Sequence, residues 1–368
     1  MIVYVKRKLR EDQLAPGEVI PKQLDGVPTD VVVMDSAQDR QSDENEHRFI
    51  DYVKLHKEIV RASSRNVPVT SRDRDVGEVA IVEDDPNHSF LVPAHHDVDW
   101  VGAYQKFRLT HPDNYDFVTF WSDFEVDCRC GAFYCGLVNP TRGINWSACI
   151  AGGRAGWHSS RLQGFMYFIR EDDAALLQEI GHHWMAYTGF RNQPGNARTS
   201  YEICLDNKPG HWSSYFDDDA SPMDYDESVL GLPAGDSVDW ITMPDGTFEP
   251  RLVTRGKFRY CNLDLYLMGC IRPQDVGDMY FIRRPRPAGQ RTTGTRVTLT
   301  VDNFIRANGS RVPNAAKSPK AFTNAFVLLT RDAPSAVARA REIDRIRARM
   351  SEQFATATGY GMQLSTSL

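Results

Sequence analysis

From about residue 91 onward, apolar positions fall into short dense runs separated by polar turns. "DFVTFW" (116–121), "FMYFI" (165–169), "VTLTV" (297–301) and "AFVLL" (325–329) read as buried strands, because runs of this length leave little surface for water. A different period governs "APSAVARAREIDRIRARMSEQFATAT" (333–358), which predicts a long closing helix. Ala340, Ile343, Ile346, Met350 and Phe354 share one face of it, while Arg341, Arg345 and Arg349 form a solvated ridge at i, i+4 spacing on the other. Strands and helices alternate irregularly and no internal repeat is present, which predicts an α+β fold with a mixed sheet.

Upstream the pattern thins. Residues 36–90 hold the turn-forming clusters "SAQDRQSDENEH", "ASSRNVPVTSRDRD" and "EDDPNH" around one helical pattern, "FIDYVKLHKEIV". The chain therefore divides into an N-terminal leader and linker-like extension, 1–90, and a domain, 91–368. The opening segment, with its "IP..LDGVPTDVV" core, resembles a short leader found ahead of peptidase-like domains in bacterial proteins.

Composition narrows the class. A chain of 368 residues, 41% hydrophobic and 25% charged, is globular and long enough to build an enzyme core. No apolar run approaches the ~18 residues of a membrane helix, and the N-terminus lacks a signal-peptide apolar stretch. We expect a soluble chain made in the cytoplasm, leaving export only to a route that needs no signal. Seven cysteines are an odd number in so long a chain, so a disulfide scaffold is not expected. The net charge of −6 is unevenly spread: residues 171–230 carry 12 Asp+Glu against 3 Lys+Arg, and 251–350 carry 7 against 20. The arginines of the second stretch are scattered among apolar runs, which argues against a nucleic-acid partner.

The candidate chemistry lies in "LLQEIGHHW" (176–184). Asp172 or Asp173 is placed to cap a helix that starts after the "LQGFMYFI" strand and runs to near Gly189. At ~100° per residue, Leu176, Leu177, Ile180, Trp184 and Tyr187 fall on one arc, and Gln178, Glu179, His182 and Ala186 on the opposite one. The i, i+4 spacing sets the side chains of Gln178 and His182 one above the other, as two ligands of one metal require. Glu179, one step around, is placed to act as a general base.

These residues, with "GHW" (210–212), "SPM" (221–223), "NLDLYLMG" (262–269) and "FATATGYG" (354–361), resemble recurring stretches of a poorly characterised bacterial group of zincin metallopeptidases, whose helix carries HExGHxW. The resemblance spans about 95–368. It implies a zincin-like domain with an active-site helix, zinc as cofactor and a protein or peptide substrate, with no membrane partner. Carried over by position, Glu179 is the base and His182 a metal ligand. The further ligand must come from elsewhere, since Thr188 stands where a metzincin has its third histidine. His211, one of ten histidines and 29 residues past His182, is our choice, with Glu202 and the carboxylates of "FDDDASPMDYDE" as alternatives. His183 and Trp184 are expected beneath the metal or facing substrate, and Met223 either as a floor under the site or as a core methionine.

Gln178 is the departure, because an amide oxygen is a weak, neutral donor. Losing one imidazole costs several kcal/mol on a scale of ~10 to 16 for a complete structural zinc site. Either a nearby group takes the missing place, or the chain is a pseudo-peptidase that keeps a cleft and binds rather than cuts. Other constellations weigh less. His96 and Ser237 with an aspartate sketch a serine-protease triad, but Val238 stands where a glycine would shape the oxyanion hole. His95, His96, Asp97 and Asp99 read as turn residues, and Cys128, Cys130 and Cys135 as small buried thiols rather than a zinc knot. Calcium through Asp217, Asp219 and Asp224 lacks EF-hand spacing.

Overall fold

A computed structural model describes residues 2–5, 23–24, 27–28, 30–33, 74–84, 89–92, 97–126, 131–150, 153–170, 172–192, 195, 198–218, 221–225, 237–253 and 258–368. The chain divides into two compact units, Met1–Ser64 and Arg65–Leu368. In the first, Ile2–Val5 pairs in parallel with Asp30–Val33, and Gln23–Leu24 pairs antiparallel with Val27–Pro28. The helical pattern "FIDYVKLHKEIV" lies outside the described residues.

The second unit holds strands β1 (Arg74–Val76), β2 (Val79–Glu83), β3 (Phe117–Ser122), β4 (Ala132–Gly136) and β5 (Gly164–Phe168). Further on come β6 (Trp212–Ser213), β7 (Phe216–Asp217), β8 (Asp224–Tyr225), β9 (Ser237–Thr242), β10 (Phe248–Val253), β11 (Asp278–Ala288), β12 (Arg291–Thr300), β13 (Ala321–Thr330) and β14 (Gln363–Ser365). Its helices are α1 (Trp100–Phe107), α2 (Asp173–Gly181), α3 (Asn262–Met268), α4 (Val301–Asn308) and α5 (Ala333–Ala357). The boundary drawn at residue 90 thus falls inside this unit, since β1 and β2 belong to its main sheet. The apolar run of β2, "VAIV", is short and sits among charges, which hid it in the sequence pattern.

The main sheet is mixed, with strand order β4-β5-β3-β13-β2-β1 and β14 paired to the start of β13. The pairs β5–β3, β3–β13 and β13–β2 are parallel, and β4 and β1 close the two edges antiparallel. Such a centre is buried on both faces, which explains the continuous apolar runs. Side chains alternate: Phe117 and Trp121 of β3 face the core beneath α2 and α5, whereas Phe120 meets Trp100 of α1 on the opposite face. The α+β expectation with a mixed sheet therefore holds. On α5 the five apolar positions expected inside are all buried, and Arg341, Arg345 and Arg349 are exposed. Burying Ile343, Ile346, Met350 and Phe354 contributes on the order of 10 kcal/mol before conformational entropy is subtracted.

A second sheet, all antiparallel with order β7-β11-β12-β10-β9, has a small core of its own around Trp240, Phe248 and Tyr280. On either side of β7 in sequence, β6 and β8 form a short parallel pair that carries His211 and Met223 at its borders. Among the described residues no helix is long and apolar enough to cross a membrane.

Candidate active site

Helix α2 begins where the sequence indicates. Asp172 is extended, and its carboxylate accepts the N–H groups of Ala174 at 2.9 Å and Ala175 at 3.2 Å, which satisfies two orphan donors of the first turn. The helix ends at Gly181, not near Gly189. Past it the chain tightens into i to i−3 bonds from His183 to Ile180 and from Trp184 to Gly181, and Ala186 takes a left-handed φ of 66° that turns it back. This reversal changes the assignments. Leu176, Leu177, Ile180 and Trp184 are buried as the wheel implies, but Tyr187 leaves the core arc and its ring comes to 6.3 Å from that of His182.

The same reversal delivers His211. Gly210 N–H donates to the Ala186 carbonyl at 2.7 Å, and Leu205 N–H donates to the His211 carbonyl at 3.0 Å, so the "GHW" loop is tied to the turn that follows the helix. The rings of His182 and His211 stand 5.0 Å apart and nearly perpendicular, at 76°. Two imidazoles on one tetrahedral zinc, with bonds of ~2.0 Å, have ring centres about 5 Å apart. Burial pushes both rings toward the neutral form: His182 is held well below 6.5 by desolvation and by His211, and His211 falls to about 4. Neutral imidazole is the form that binds a metal, so protons do not compete for these nitrogens at pH 7.

Glu179 is enclosed beside them. Desolvation raises its carboxyl to about 8, opposed only in part by the backbone N–H of Tyr134, which donates to it. Tyr187 lies close enough to Glu179 for the carboxylate to add to the desolvation that already raises the phenol. A carboxyl poised near neutrality and a phenol that keeps its proton are an acid–base group and a hydrogen-bond donor side by side. Gln178 is half-buried one turn before His182.

His183 is fully enclosed. Its Nδ1 meets the Tyr134 hydroxyl at 2.6 Å, its carbonyl accepts from Asn139 Nδ2 at 2.5 Å, and Phe117 packs edge-on at 5.0 Å. Desolvation lowers it to about 3. Trp184 is buried against Phe322 and Phe117, so both side chains support the helix from below. Met223 is buried under the helix end: a methyl group added to Gly181 would lie 2.6 Å from its sulfur and 2.9 Å from Met185 Cε. The sheet edge beside α2 is stapled by a Cys135–Cys149 disulfide, which corrects the expectation that Cys135 is a thiol; Cys128 and Cys130 lie outside the described residues.

The alternative ligands are engaged elsewhere. Glu202 is held by Arg283 in a two-pronged pair, at 2.9 Å from Nε to Oε1 and 2.7 Å from Nη2 to Oε2. Asp217 accepts the Trp240 backbone N–H at 2.7 Å, Asp224 accepts that of Ser221 at 3.0 Å, and Asp219 lies outside the described residues. Asp99 caps α1 through Gly102 N–H at 3.0 Å, and the side chains of His95, His96, Asp97 and Ser237 lie outside the described residues.

One group went unnoticed in the sequence. Asp218, Cys261 and Asp264 converge in the interior with their donor atoms within 4.8 Å of one another; it is the one set of three His, Cys, Asp or Glu donors that close among the described residues. Asp264 Oδ1 accepts the indole N–H of Trp212 at 2.9 Å, and Oδ2 accepts the Ser221 hydroxyl and the Cys261 backbone N–H. Compared with known proteins, the chain matches no family model, no curated sequence and no solved structure.

Proposed function

We propose that this chain is a metal-dependent hydrolase of peptide bonds built on a zincin-like helix, with His182 and His211 as imidazole ligands, Gln178 as a weak third donor and Glu179 as the acid–base group. The observation that supports this reading best is the meeting of His211 with His182 at a ring separation of 5.0 Å, beside a buried carboxyl. A zinc ion bound there supplies Lewis acidity, drawing the pKa of water toward ~7 and polarising the scissile carbonyl.

The chain's own residues supply the rest. Glu179, raised to about 8 without a cation and drawn down beside one, takes a proton from the attacking water and returns it to the leaving amine. Tyr187, held protonated by burial, donates to the oxygen that gains charge as the carbonyl is attacked. His183 and Tyr134 keep the helix end and the sheet edge in register through their 2.6 Å bond.

A second reading, a pseudo-peptidase that binds polypeptide without cutting it, is favoured by Gln178 and by the absence, among the described residues, of a third His, Cys, Asp or Glu donor within 4.8 Å of the histidine pair. Elemental analysis of the purified full chain, paired with hydrolysis of a quenched-fluorescent peptide library, separates the two. The hydrolase reading expects metal on the wild type that H182A/H211A loses, and cleavage that stops with chelator. Less than about a tenth of an equivalent lost between those proteins, with no cleavage after zinc, cobalt or manganese is added, would sink it in favour of the pseudo-peptidase.

A further inference from the structure

The buried group at Asp218, Cys261 and Asp264 is the strongest chemical feature that the proposed hydrolysis does not use. Cys261 and Asp264 flank the first turn of α3, where three-residue spacing sets thiol and carboxylate side by side. Asp218 reaches them from the end of β7, and its carboxylate and the Cys261 thiol share a hydrogen bond. Trp212, Ser221 and the Cys261 backbone hold Asp264 in place, and the Cys261 thiol reaches the remaining one of a carboxylate's roughly four acceptor positions, the one a metal would take over from the thiol proton. Outer hydrogen bonds of this kind orient a metal ligand in its site.

From this convergence we infer that Asp218, Cys261 and Asp264 form a second, structural binding site for a divalent transition metal of the zinc class. Two carboxylates and a thiolate enclosed together carry three negative charges, which a dication reduces to one. The pressure is visible in the acids themselves: burial, with mutual repulsion and that of Asp224, drives Asp218 far up, and burial raises Asp264. Zinc bond lengths of ~2.0 Å to oxygen and ~2.3 Å to sulfur bring such donors to about 3.5 Å from one another, a closing of around an ångström from the present limit. The sulfur sets the metal class, since calcium and magnesium take oxygen donors while thiolate favours zinc, iron or cobalt. Binding releases the thiol proton, and any proton the two carboxylates share, to solvent.

The site shares no ligand with the histidine pair, so the experiment reads it separately. Full-length protein is stripped with chelator and titrated with Co²⁺, whose thiolate charge-transfer band in the near ultraviolet reports sulfur ligation. We expect the band in wild type, its retention in H182A/H211A and its loss in C261S. In the double variant, one tightly held equivalent should remain, with Cys261 protected from iodoacetamide by the metal in peptide mapping. No band in wild type, a band that persists in C261S, or protection mapping to another cysteine overturns the assignment. If C261S does not fold, band and mapping in H182A/H211A decide alone: a held ion without Cys261 protection, or no held ion, overturns it. Absence of peptide hydrolysis in the metal-loaded wild type, with the cobalt band present, would instead count against the histidine site alone.

Discussion

Two buried polar clusters meet across a single peptide bond: His211 belongs to one, and Trp212, through its indole, to the other. They solve the same problem with opposite chemistry. In the histidine cluster burial removes charge, leaving imidazoles that are neutral across the physiological range. In the carboxylate cluster burial pushes protons on, and only a proton or a cation relieves it. The lesson is that burial alone does not identify a reactive site. Glu179 is the group that shares features with both, a desolvated acid set among neutral rings, and it is where the two kinds of environment are best told apart.

The sharpest way to break the contrast is Glu179→Gln. We expect kcat/KM for peptide cleavage to fall about 10³-fold with metal content unchanged, within the usual range for an acid–base group. The same variant tests the buried acid. A folded pKa of about 8 lies above the unfolded 4.5, so the contribution is fully present below 4.5 and is lost as pH rises through 8. Above pH 6.5, where the buried histidines no longer titrate in either state, wild type in chelator should therefore weaken by about 2 kcal/mol up to pH 9, and the glutamine variant should not, as read from urea midpoints. Equal slopes would remove Glu179 from its enclosed setting.

Next in size is Gln178→His, which adds a third imidazole beside His182. Zinc affinity by competition with a chromophoric chelator should rise about 10²-fold, a share of the ~10 to 16 kcal/mol of a complete site. No change would mean that position 178 does not face the proposed metal site. Smallest is the acid limb. His183, lowered to about 3 from 6.5, contributes stability that is fully present above 6.5 and is lost as pH falls toward 3. His183 accounts for about 1.4 kcal/mol per pH unit in that window, beside the shares of His182 and His211, and His183→Gln should lower the slope of the limb by that amount. An unchanged limb would place the ring in water.

Much of the frame was legible because it rests on local patterns. The four apolar runs became strands, α5 formed over Ala333–Ala357, and Asp172 capped α2. Legibility failed where one residue's conformation redirected the chain. The left-handed Ala186 is invisible in composition, yet it moved Tyr187 from the core arc to the site and set the hydrogen bond that brings Gly210, and with it His211, against the helix end. His211 could be chosen only from the scarcity of histidines and the "GHW" resemblance. The Asp218 group left a faint trace, the Cys-x-x-Asp spacing of "CNLD", but the third member arrives by tertiary packing that no window of sequence contains.

The hydrogen bond between Tyr134 and Glu179 also bears on association. Among the described residues strand β4 is one of the two edges of the main sheet, and an edge invites a strand from another molecule to add on. The amide that Tyr134 would offer such a visitor is already taken by the Glu179 carboxylate. Glutamine at 179 keeps an acceptor there and keeps the margin closed, whereas alanine opens it, so self-association on storage should separate the two variants.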